Sequence, residues 1–142
     1  MTSLPTRPTT ALQELFAQIG FRSAEPEPDG SLAWEIPVSP QVCNSVGGIQ
    51  GGLIATLVDV VSSLAALQGM APGTGVVTSD MNLRYLRAVT QGTARAVARV
   101  RHSGKRSAVV QVEVLAMPER VVAAIATVGF TKIERTITAA GA

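Results

Sequence analysis

The chain has one cysteine, Cys43, and one histidine, His102, in 142 residues. A lone cysteine excludes an intrachain disulfide and the usual four-ligand zinc sites, so no metal site is expected and a reducing compartment, the cytoplasm, is. Aromatic residues make up only 4% of the chain, which leaves little for stacking on nucleic-acid bases. No apolar run follows a basic N-terminal segment, and none is long and uncharged enough to span a bilayer. Neither nucleic acid nor membrane is an expected partner. Internal repeats and low-complexity stretches are absent as well. What remains is a chain of the length of one domain, residues 1–142, able to bury about two-thirds of its unfolded surface without staples.

Charge is scarce overall but unevenly placed. Residues 1–80 carry two basic side chains against seven acidic ones, and residues 81–142 carry ten basic against three acidic. A basic C-terminal half suits a small phosphorylated ligand. It suits equally a solvated strand face that keeps the protein soluble.

Residues 1–9 are polar, contain prolines, and are expected to be frayed. Thr10 opens a short amphipathic helix with Gln13 at the capping-box position, Leu12, Leu15, Phe16 and Ile19 on one face, and Gly20 as the stop. Residues 25–30 read as a turn, and Leu32 to Val38 as a strand. The most apolar stretch, Gly51 to Met70, has the length and the Leu/Ala content of a helix, apolar nearly all round and so buried. After Pro72-Gly73 the period changes to two. Four long runs follow, near 75–87, 93–102, 107–116 and 120–133, joined by short turns that imply an antiparallel meander. In the second run Ala94, Ala96, Ala98 and Val100 share one face, with Arg95, Val97, Arg99 and Arg101 on the other. Ala108, Val110, Val112 and Val114 line the third run, and Val122, Ala124, Ala126, Val128 and Phe130 the fourth. The fold class is α+β, a buried helix wrapped by an antiparallel sheet whose small inward side chains let it curl closely.

One residue does not suit that core. Asp59 is the only charged side chain between Glu35 and Asp80, and it falls mid-helix, where an unpaired carboxylate costs several kcal/mol. Its helical neighbours Ala55, Thr56, Ser62 and Ser63 form a small, polar stripe that lets another surface or a ligand come close. Hydroxyls such as Thr56 and Ser62 could satisfy the carboxylate structurally. A carboxylate beside a close-approach groove is otherwise a functional-site candidate. At the helix start, Gly51-Gly52 exposes backbone N–H groups at the positive end of the helix dipole, suited to a developing oxyanion. Gly51 and Asp59 lie roughly 12 Å apart at 1.5 Å per helical residue. A single carbonyl cannot be held by the one and attacked through the other in the same chain. If both act together they come from two subunits, and a dimer is required.

The stretch from Asn44 to Gln50-Gly51-Gly52, followed six residues later by Asp59, resembles the hotdog-fold acyl-CoA thioesterases of the phenylacetic-acid-degradation type. Those proteins share an N-x5-H-G-G-x6-D-like pattern opening a central helix. The segment Thr78 to Arg87 resembles the first long strand after it, and the similarity runs from about Asn44 to Thr131. The resemblance implies a hotdog fold and hydrolysis of an aryl- or medium-chain acyl-CoA without metal or prosthetic group, coenzyme A being part of the substrate. Asp59 would be the nucleophile or the base for water, Gly51 and Asn44 would polarise the carbonyl, and Thr78 would orient the nucleophile. Ser79 could take over that last role. Gln50 stands where the family usually has His; it can donate a hydrogen bond but cannot relay a proton. Gly52 would border the substrate. Arg101, Lys105, Arg106 and Ser107, at a hairpin turn, would face the coenzyme A phosphates, unless that turn is an ordinary polar one. His102 reads as a surface residue, and Trp34 and Tyr85 as packing residues. The resemblance also implies a homotetramer. A non-catalytic acyl-CoA binder shares every feature but turnover, and a hotdog dehydratase would need a catalytic histidine.

Overall fold

The computed structural model describes residues 10–135; the stretch 1–9, expected to be frayed, lies outside them. Thr10 caps helix α1 (Ala11–Gln18) in a full capping box with Gln13, as S/T-x-x-Q patterning dictates. Leu12 and Leu15 are exposed, and only Phe16 and Ile19 reach the core. Two strands follow, β1 (Arg22–Ala24) and β2 (Leu32–Pro37), then the long helix α2 (Gly51–Leu67). Helix α2 stops where Gly69 takes a positive φ. The remaining strands are β3 (Thr74–Tyr85), β4 (Thr93–Ser103), β5 (Ser107–Met117) and β6 (Val121–Glu134). All pairings are antiparallel, in the order β1-β2-β4-β5-β6-β3.

The sheet wraps α2 as the alternation requires. Ala94, Ala96 and Ala98 of β4, Ala108, Val110, Val112 and Val114 of β5, and Ala124, Ala126, Val128 and Phe130 of β6 all turn inward. They close on Leu57, Val58 and Val61 of α2, each fully buried. Burial of this kind is worth about 1.5–3 kcal/mol for a large aliphatic or aromatic side chain. The alanines bring strand and helix backbones close. This is the hotdog arrangement, with a short N-terminal helix beside it.

Three expectations need correction. The four C-terminal strands do not form a simple meander, because β3 pairs with β6 at the far edge and β4 pairs with β2. Residues 86–92 cross the end of the sheet instead of turning back. Their backbone is taken up by other partners: Leu86 and Arg87 donate to the Ala123 carbonyl, Ile49 donates to that of Val89, and Val38 to that of Gly92. Second, α2 is not buried all round within one chain. Ile54, Leu57, Val58, Val61, Ser62, Ala65 and Ala66 face the sheet, whereas Ala55, Thr56, Asp59, Val60 and Ser63 are only half-buried. One sheet covers one side of a helix. Third, Arg95 and Val97, on the face opposite the inward alanines, are buried too, and Val100, expected on the alanine face, is exposed. Val97 packs with Ala33, Leu115 and Ala24, Arg95 is held by Glu25, Glu27 and Glu35, and the β4 bulge after Val100 ends its alternation.

Arg95 is clamped. Its guanidinium lies 3.3 Å from Glu35 and 3.5 Å from Glu27, and it donates to the Glu25 carbonyl. Arg120 donates to the same Glu27 oxygen at 2.6 Å. That bond above all holds the Glu27 carboxyl below its ordinary value of 4.5, against the opposing effect of burial. A depressed carboxylate pKa stabilises the fold above the ordinary value and stops doing so as pH falls through the folded one. Glu27→Gln is therefore expected to lower the urea midpoint at neutral pH, with the difference from wild type closing as pH falls through the lowered folded value. Denaturation across that acid range and at neutral pH checks it.

Candidate active site

Gln50 is the N-cap of α2, and its Oε1 accepts the Leu53 N–H at 2.9 Å. The side chain curls over Gly52, where a Cβ would stand 2.8 Å from that oxygen. Gly52 thus makes room for the cap. Nε2 of Gln50 is left to donate outward, and the first-turn N–H groups of Gly51 and Gly52 have no intrahelical acceptor. Asn44 shapes the preceding loop, its Oδ1 accepting from the N–H groups of Val46 and Gly48 at 3.1 and 3.2 Å. Its amide nitrogen stays available as a donor beside Gly51, along a cavity that both residues line.

Asp59 lies two turns farther along, on the uncovered face of α2. Neither Thr56 nor Ser62 satisfies it, since Thr56 donates to the Gly52 carbonyl and Ser62 to those of Val58 and Asp59. The hydroxyl that does reach the carboxylate is Thr78, from the edge strand β3, at 2.7 Å. A bulge between Thr78 and Asp80 separates Thr78 from its neighbour. Ser79 bonds the Thr131 hydroxyl at 2.6 Å instead of Asp59. Among the described residues no cation lies within ion-pair reach of Asp59.

The structure brings together Asn44, Gln50 and Gly51 at one point and Asp59 and Thr78 at another, in the same helix. It also divides the expected phosphate cluster. Arg101, at the β4 bulge, donates to Gln111 at 2.6 Å and lines a depression on the outer sheet face with Arg84 and Arg99. Lys105 lines a different groove, near the end of α2, with Lys132. Lys132 donates to the Ser103 hydroxyl at 2.9 Å and its N–H to the Arg106 carbonyl at 2.8 Å.

Tyr85, expected only to pack, stands at the site. Its hydroxyl donates to the Gly51 carbonyl at 2.5 Å, and burial raises its phenol above the usual value. Nothing in the local sequence marks it, because its partner lies 34 residues away.

The thioesterase superfamily model matches residues 47–123, from the loop before Gln50 through β3, β4 and β5 into β6. Human acyl-coenzyme A thioesterase 13 is 37% identical over 76 residues, 52% of this chain and 50% of that protein. A Bacillus halodurans protein whose structure was solved with CoA is 28% identical, with a TM-score of 0.76, over 84% of this chain and 75% of that one. An Escherichia coli protein from the phenylacetic acid degradation operon shares the fold at a TM-score of 0.74 and 24% identity, over 88% of each chain. The chain belongs to the thioesterase superfamily.

Proposed function

We propose that the protein hydrolyses an aryl- or medium-chain acyl-CoA at a site shared by two subunits, in the cytoplasm. The observation that carries this reading is the Asp59 carboxylate, held by Thr78 on the one helix face that a single chain leaves half-covered. The edge strand β3 lies beside that face, with exposed positions along it. Pairing two such faces antiparallel sets Asp59 of one subunit by the Gly51 turn of the other. A dimer is the minimum that completes the site, and a tetramer follows from the family resemblance.

In this mechanism the thioester oxygen accepts from the Gly51 N–H, with the Asn44 and Gln50 amides as further donors. Asp59 takes a proton from water as the hydroxide adds to the carbonyl carbon. The carbon–sulfur bond then breaks, the departing thiolate takes up the proton, and free acid and CoA leave. Gln50 suffices here because its amide only donates. Lys105, Arg106 and Ser107, with Lys132 beside them, suit the coenzyme A phosphates.

The experiment is release of free CoA thiol from a panel of aryl- and alkyl-CoAs. Binding without turnover would make the protein an acyl-CoA binder. Within that assay, Thr78→Val is expected to lower kcat about tenfold or more with KM little changed, as a lost hydrogen bond to a charged group is worth about 1.5–3 kcal/mol. Thr78→Ser should restore most of the rate. Equal rates in Thr78→Val and wild type would remove Thr78 from the mechanism.

A further inference from the structure

A half-open cavity of about 320 Å³ adjoins Gly51. Ile49, Ile54, Leu86, Val114, Ala123 and Ala124 give its walls a hydrocarbon part, and Asn44 and Arg87 line it as well. A thioester held at the Gly51 N–H has two arms to place. The pantetheine arm carries two amides, which the hydrocarbon part of those walls would leave unpaired at a cost of about 1–3 kcal/mol each. An acyl chain or aryl ring loses nothing there and gains from leaving water.

Tyr85 stands at the junction. It closes β3, lines the cavity, and sets its ring against Gly51, where a Cβ would meet the ring and hydroxyl at 3.4 Å. The hydroxyl is turned to the Gly51 carbonyl. The ring therefore borders the cavity next to the expected reaction point, while its polar end is tied to the first turn of α2.

We infer that Tyr85 determines acyl specificity, its ring limiting the size of an acyl group held by the subunit that supplies Gly51 and its hydroxyl steadying that turn. This rests on the thioesterase reading. The acyl class that fits is an aryl group or an aliphatic chain of medium length, seated against the subunit that supplies Gly51 while the other brings Asp59.

The test is a ladder of straight-chain acyl-CoAs from acetyl to dodecanoyl, with phenylacetyl-CoA, read as kcat/KM. Tyr85→Ala, at an exposed position, is expected to raise the ratio of long-chain to short-chain kcat/KM about tenfold by opening the pocket. Leu86→Trp, which narrows the cavity from an exposed position on its wall, should lower the long-chain values about tenfold relative to acetyl-CoA. Tyr85→Phe keeps the ring, so the chain-length optimum should stay while kcat falls several-fold with KM unchanged. If Tyr85→Ala and Leu86→Trp both keep the wild-type ranking, in an enzyme that still depends on Asp59, the inference is overturned and the thioesterase reading stands. Absence of wild-type turnover on every member of the ladder overturns both.

Discussion

Asp59→Asn is expected to lower turnover about a thousandfold, within the 10²–10⁴ range of a positioned general base, while leaving the fold and oligomer unchanged. Asparagine keeps the shape of aspartate and an Oδ1 that can accept the Thr78 hydroxyl as the carboxylate does at 2.7 Å. What it loses is the capacity to take a proton. Asp59 is half-buried on a face that the sheet does not cover, so no buried charge partner is orphaned by the change. A carboxylate kept for stability would behave in the opposite way, with a shifted melting temperature and intact turnover. Thiol release and thermal unfolding on the same preparations separate the two cases.

Gly51→Pro is the second large effect, expected to lower kcat about 10²- to 10³-fold, the cost of one oxyanion donor, with KM nearly unchanged. Gly51 is the first residue of α2, the position where proline is favoured because its missing N–H has no intrahelical acceptor anyway. Gln50 before it sits at φ −57° and ψ 132°, the extended region that a following proline demands. The Tyr85 ring stands at ordinary contact distance from a Cβ there. The substitution thus removes one hydrogen-bond donor and keeps the helix. Gly51→Ala, which retains the N–H, is the matching control and should keep most of the rate. If proline and alanine behave alike, the Gly51 N–H has no part in the reaction.

Much of this was legible before any coordinates, for reasons tied to particular residues. Asp59 stands out because a single charge in an otherwise uncharged run of more than forty residues is costly unless it has a use. Ala94, Ala96, Ala124 and Ala126 announced a sheet closing tightly on a helix, because alternation and side-chain size are both local properties. The features that escaped the sequence are non-local ones. The link between β3 and β4 is short enough for a turn, and only its partners (Ala123, Ile49 and Val38) show that it crosses the sheet end. Arg95 lies on the face opposite the inward alanines, and only its partners Glu25, Glu27 and Glu35 show that it is held there. Arg101 and Lys105 are four apart in sequence, yet the bulge after Val100 and the hairpin turn send them to different depressions. Tyr85 meets Gly51 through tertiary packing alone.

The central claim is that Gly51 of one subunit and Asp59 of the other serve one thioester. Helix geometry argues for it, since eight residues of α2 separate the two by about 12 Å. The most direct measurement mixes Asp59→Asn and Gly51→Pro subunits in equal amounts, refolds or exchanges them, and assays thiol release. Each variant alone is nearly inactive. In a mixed dimer one site combines an intact Gly51 with an intact Asp59 and the other has neither, so random pairing should restore about a quarter of the wild-type rate. Mixed dimers that form and remain as inactive as their parents would contradict the account and place both groups within a single chain.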